Sequence, residues 1–108
     1  MDYATEGSQI HVDHLFPLAA AWDLGAATWP LEQRSRFAND TSVELLAVNG
    51  GANQSKGDST PASWLPPVKP YRCEYVVRFL TVAAAYELAI TEADVRVIAA
   101  VQRKSCPV

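Results

Sequence analysis

A chain of 108 residues has room for one domain with one modest core, and none for two. Its 49% hydrophobic and 19% charged residues match soluble globular domains, and no apolar run approaches the ~20 residues that span a bilayer, so no membrane contact is expected. With a formal net charge of −3 and a pI near 5.2, the chain lacks the basic excess of a protein that grips nucleic acid by charge alone; any phosphate contact must be local, through a bound cation and a few side chains.

The opening MDYATEGSQ is acidic and polar and does not read as a signal peptide. Residues 1–8 are expected to be a disordered tail on a single domain over 1–108. Localisation stays open: export needs a signal ahead of this stretch, and without one the protein is cytoplasmic. QIHVDHLF reads as a short strand running into a loop. Pro17 then opens a short helix, PLAAAWDLG, stopped by Gly25. WPLEQRSRFAND repeats that logic from Pro30. VELLAV is the second strand, closed by the turn NGG, and ANQSKGD after it holds one or two helical turns that end at Gly57. In STPASWLPP, a tryptophan between prolines anchors a loop.

The last third is helical. YRCEYVVRFLTVAAAYEL has no proline or glycine and is apolar on more than one side, which predicts a buried helix. TEADVRVIAAVQRK starts on Thr91 as N-cap, with Asp94 three residues on and a basic end at Arg103-Lys104. Two such helices on a short link pair antiparallel, which returns Cys106 close to Cys73. A disulfide between them and two reduced thiols are both open, and the cysteine count alone does not decide.

The residues able to do chemistry begin with Asp13 and His14. Neighbours on a regular strand point to opposite faces, so they meet at one site only if the backbone bends. An unprotonated imidazole is a general base for water near neutral pH, and a carboxylate beside it can hold a hard divalent cation. Further on, Asn53 offers a carbonyl oxygen, and Lys56, three residues later, projects from the same side of a helical turn and could face a phosphate oxygen. Arg34 and Arg36, on the second helix, are candidates for a nucleic-acid backbone. Trp22 and Trp29 are read as core residues. Glu32, Asp58, Glu74 and Glu87 form no recognisable carboxylate pair, and there is no CxxC or HxxxH spacing for a structural zinc site.

Taken in order, HVDHLFPL, LLAV, NQSKGD, WLPP and YRCEYV resemble a bacterial family of small His-Asn-His (HNH) endonuclease-like proteins, many of them exported. The likeness runs from about Ile10 to Cys106. It implies an α+β fold: a ββα-metal core with a short two-stranded antiparallel sheet, and additional helices that include a C-terminal helical hairpin. Carried onto this chain, it makes His14 the general base and Asp13 a metal ligand. Asn53 becomes a second metal ligand at the last position of the signature, and Lys56 a holder of the substrate phosphate. Trp64, Pro66, Pro67, Tyr71 and Cys73 fall at structural positions. The implied reaction is phosphodiester hydrolysis with one divalent cation, Mg²⁺ or Mn²⁺, on nucleic acid, with DNA the expected substrate and no protein partner or inhibitor identified.

Two positions depart from that pattern. Glu44 stands where the signature carries the Asn that braces the histidine loop, and a carboxylate accepts but donates only when protonated; Asn39 and Asn49 are the alternative braces. His11 alternates with Asp13 along the strand, so it could join the metal site and favour Zn²⁺ or Ni²⁺, or simply sit at the surface. The alternatives to a nuclease are a non-cleaving module that binds nucleic acid or protein on the same scaffold, and an enzyme of different chemistry, since a fold does not fix a function.

Overall fold

The computed structural model describes residues 10–49 and 55–107, with side chains at all of these except 10–12 and 46–49. Asn53 and the side chains of His11 and Asn49 therefore lie outside the described residues. The class is α+β. Strand β1 (Ile10–His14) pairs antiparallel with β2 (Leu45–Asn49), setting Asp13 opposite Leu46 and His14 opposite Leu45. Between the strands come α1 (Leu18–Asp23) and α2 (Leu31–Ala38), and after them α3 (Arg72–Tyr86) and α4 (Glu92–Ser105).

The prolines punctuate as the sequence predicts. Pro17 and Pro30 are the residues just before α1 and α2, where a fixed φ and a missing N–H cost nothing. Gly25, with φ at +150°, turns the chain after α1 into a 3₁₀ turn over Ala26–Thr28. A second glycine, Gly57 at φ +52°, ends the helical turn that carries Ser55 and Lys56. Both lie where a side chain is disfavoured.

The core anchors the loop after β1. Leu15, Phe16 and Pro17 are all buried, and the Phe16 ring stacks on Phe79 of α3 with centroids 4.5 Å apart. Trp29, Phe37 and Tyr86 form a second aromatic cluster joining α2 to α3. Trp29 is thus a core residue as expected. Trp22 is not: it is 49% exposed, because the apolar face of the six-residue α1 is supplied by Ala21, its one buried residue.

The C-terminal hairpin is closed by a disulfide between Cys73 and Cys106, with Cα atoms 5.0 Å apart. That resolves the cysteines in favour of the bridge. Thr91 caps α4, its hydroxyl oxygen accepting from the Asp94 N–H, and the buried Asp94 carboxylate reaches out to accept from Ala62 N–H at 2.8 Å. α3 ends earlier than its composition suggests. Tyr86 is its last residue, and Glu87 adopts the left-handed conformation at φ 53°, so that the Leu88 N–H bonds back to the Ala83 carbonyl. The chain must reverse here for the hairpin to form, and the left-handed position is filled without a glycine.

Candidate active site

The site is built where β1 runs out. The buried "LFP" segment pulls the chain down into the core immediately after His14, and this bends the backbone at Leu15 and Phe16. Two carbonyls, those of His14 and Leu15, are thereby turned toward the helical turn that follows β2. Into this space comes Lys56, only 2% exposed. Its ammonium lies 2.7 Å from Asp13 Oδ2, 2.8 Å from the His14 carbonyl and 3.2 Å from the Leu15 carbonyl. A lysine has three donors, and all three are used.

That geometry revises the expected place of Lys56. An ammonium with every donor committed to the protein has none left for a substrate phosphate. Here it neutralises the buried Asp13 and ties down the bend that carries His14. Burying the pair is tolerable because each charge meets the other and the spare donors find carbonyls. The turn placing Lys56 is held in turn by Trp64, whose indole N–H donates to Ser55 Oγ at 3.1 Å and whose ring packs edge-on against Tyr75. Trp64 anchors its loop, as the prolines around it predict.

His14 faces another way. Its Nε2 lies 3.0 Å from the carbonyl oxygen of Ala38, the last residue of α2. Helix C-terminal carbonyls lack intrahelical partners and carry partial negative charge. A carbonyl can only accept, so Nε2 carries the proton and donates, and the neutral ring keeps its lone pair on Nδ1. One contact therefore fixes both the orientation of the imidazole and the nitrogen able to take a proton. The half-buried ring has α2 behind it. Asp13 and His14, adjacent in sequence, have their side chains on different supports: the helical turn of Lys56 for one, α2 for the other.

Glu44 does brace the loop, by acceptance alone. Its backbone carbonyl takes the Leu15 N–H at 2.8 Å and its Oε1 takes the Phe16 N–H at 2.7 Å. The side chain is fully buried. Burial pushes its pKa up to about 8, with the Phe16 N–H and the Lys56 charge pulling back and Asp13 and Asp40 pushing further. Its Oε2 finds no partner among the described residues. Asn39, the alternative brace, instead donates to Ser35 of its own helix.

Behind Glu44 stands Asp40, two residues past the end of α2. Its carboxylate accepts from Ser42 and Val43 N–H groups and from the Tyr86 hydroxyl, while its carbonyl accepts from Glu44 and Leu45 N–H groups. The tyrosine hydroxyl, more than the two amides, holds the Asp40 pKa below the usual carboxylate range. Burial first, and then this carboxylate, push the Tyr86 hydroxyl to about 12. The tyrosine that completes this arrangement lies 46 residues away, beyond the reach of any local pattern.

For a divalent cation, Asp13 is the candidate donor on the described residues, among which no three His, Cys, Asp or Glu side chains come together. A single carboxylate suits a hard cation that keeps most of its own waters, although the Lys56 ammonium already holds one of the two oxygens. Arg34 and Arg36 both lie on α2, the helix that supports His14.

Residues 2–101 match the family model described as "GmrSD restriction endonucleases, C-terminal domain". An "Uncharacterized secreted protein" of the fungus Arthroderma benhamiae is 44% identical over 91 residues, covering 83% of this chain and 45% of that protein, so the chain spans less than half the length of this relative. No solved structure matches the chain. The family match covers most of the sequence, including β1, β2 and every side chain of the site, and the chain belongs to the family of GmrSD restriction endonuclease C-terminal domains.

Proposed function

We propose that this chain is a metal-dependent endonuclease domain of the HNH, ββα-metal type, which hydrolyses phosphodiester bonds in nucleic acid, DNA first among them. The observation that carries the reading is the imidazole of His14 pinned by Nε2 to the end of α2, at the end of a strand that also carries a buried carboxylate. The β1–β2 pair followed by the helical turn of Lys56 supports the ββα-metal assignment, and the restriction-endonuclease family supports the substrate class.

In this mechanism Nδ1 of His14 takes a proton from a water molecule as the water oxygen bonds to phosphorus. The bond from phosphorus to the 3′ oxygen breaks, and that oxygen collects a proton from solvent. Asp13, with Asn53 as second ligand, would hold the divalent cation, which supplies positive charge for the negative charge building on the phosphate and the leaving oxygen. Lys56 holds the bend, Glu44 holds the loop, and Arg36 is assigned to the nucleic-acid backbone. Because the relative is named as secreted and disulfides persist in oxidising compartments, we also assign the protein to the extracellular space.

The test is cleavage of plasmid DNA in Mg²⁺, Mn²⁺ or Ni²⁺, compared with EDTA and with His14→Ala. Cutting that needs both a metal and His14 is the expected result. Cutting that survives His14→Ala, or none with any metal, removes the proposal. One observation favours the rival reading of a non-cleaving module: the Lys56 ammonium on Asp13 Oδ2 competes with a cation for that oxygen. Nucleic-acid binding without cleavage in every metal would select the rival.

A further inference from the structure

The inference rests on the nucleic-acid reading above and adds the form of strand the site takes. Between α1 and α2 lies a cleft of about 210 Å³, lined by Leu18, Ala21, Trp22, Arg34, Phe37 and Ala38 among others. Ala38 is the residue whose carbonyl holds His14, so the wall of the cleft and the support of the general base are the same residue. The Arg34 guanidinium carbon sits 5.3 Å from the centroid of the Trp22 ring, within the range of cation–π attraction. Trp22 remains 49% exposed and Leu18 43% exposed. Nε of Arg34 is buried and meets no acceptor among the described residues, so what Arg34 offers the cleft comes from its two terminal guanidinium nitrogens.

We propose that this cleft receives one unpaired nucleobase of the strand whose phosphate lies at His14, stacked on Trp22 and hydrogen-bonded by Arg34. The volume argues for a single ring system, being below the ~300 Å³ at which sites for drug-sized ligands begin. The chemistry argues for a base over an apolar side chain: a flat aromatic face with a guanidinium beside it suits a flat group that carries its own acceptors. Arg36, on the same helix, adds positive charge for the strand's phosphates. A base inside a duplex cannot enter such a cleft without leaving its stack, so the site favours single-stranded or locally opened nucleic acid.

Fluorescence anisotropy in EDTA, where nothing is cut, tests this with a labelled oligothymidylate, the same strand made abasic, and a blunt duplex. Wild type should hold the base-bearing strand about five- to a hundredfold more tightly than the abasic one, the range of one base–aromatic stack, and more tightly than the duplex. Trp22→Ala should lose that preference and Trp22→Phe should keep most of it, with both shown by thermal unfolding to be folded at the assay temperature even where Trp22→Ala melts several degrees lower. Equal affinity for the base-bearing and abasic strands, tighter binding of the duplex, or a preference that survives Trp22→Ala overturns the proposal. Absence of binding to any probe overturns it too. The plasmid assay then separates the cases: His14-dependent cutting leaves the nuclease reading standing without the base cleft, and its absence removes both.

Discussion

The Lys56 ammonium stands 2.7 Å from Asp13 Oδ2 with both side chains nearly sealed from solvent, at 2% and 9% exposure. Removing one member of such a pair strands the other as a buried charge, at a cost of about 3–5 kcal/mol. Lys56→Met should therefore lower unfolding stability by about that much, and Asp13→Asn by a similar amount. The double variant should recover a substantial part of the summed loss, since neither charge is left alone. Urea denaturation of the four proteins measures this. Strict additivity, or a Lys56→Met loss under about 1 kcal/mol as for surface pairs, would mean that the ammonium does not hold the bend.

Glu87 occupies a left-handed backbone position that closes α3. A residue with a Cβ costs about 1 kcal/mol or more there compared with glycine. Glu87→Gly is expected to raise stability by about 0.5–1 kcal/mol, the gain in the folded backbone being offset in part by the freer unfolded chain. Its side chain is exposed, so no packing is lost. Equilibrium denaturation should show the gain as a higher midpoint at unchanged slope; a lower midpoint would contradict this account of the helix end.

The Cys73–Cys106 bridge closes a separation of 33 residues, for which loop-closure entropy gives about 3–4 kcal/mol. Replacing both cysteines by serine should lower the melting temperature by roughly 10–20 °C at this chain length. Labelling of the unreduced, unfolded protein should find no free thiol. A full thiol count without reductant would refute the bridge and weaken the extracellular assignment with it.

Much of this architecture was legible because it depends on local chemistry. Pro17, Pro30, Gly57 and Thr91 act within a few residues of themselves, and the positions they mark are the positions where elements start or stop. Even the approach of Cys73 and Cys106 followed from two helices of similar length on a short link, and the structure adds the bond. The helix end at Tyr86 was missed for the complementary reason: Glu87 and Leu88 favour helix, and only the need to reverse the chain stops it there. The ties of Lys56 are not legible because nothing in NQSKGD shows that two carbonyls, bent inward by the burial of Leu15 and Phe16, stand 42 and 41 residues upstream to take its spare donors. Trp22 read as core because tryptophan usually is, yet its helix is too short to bury two faces. Glu44 braces the loop without donating because the loop offers it two N–H groups, which its place in SVELL does not show.

The pH dependence of folding follows from that last residue. Folded Glu44 keeps its proton up to about 8, while the unfolded carboxyl gives it up near the ordinary 4.5. Between those values the folded state binds more protons than the unfolded one, so raising the pH withdraws stability. The contribution is complete below about 4.5 and is lost as the pH passes through about 8, with a slope of at most about 1.4 kcal/mol per pH unit between them. Glu44→Gln removes the titration while its amide oxygen can still take the Phe16 N–H. Wild-type stability relative to this variant should therefore fall steadily from about pH 5 to about pH 8.5, the variant being the more stable at the alkaline end. Other groups titrate in both proteins and cancel in the difference, which urea denaturation at fixed pH values can read. A difference that stays flat across that range would show that Glu44 is ionised in the folded protein at neutral pH, and that the loop behind His14 is held by a carboxylate.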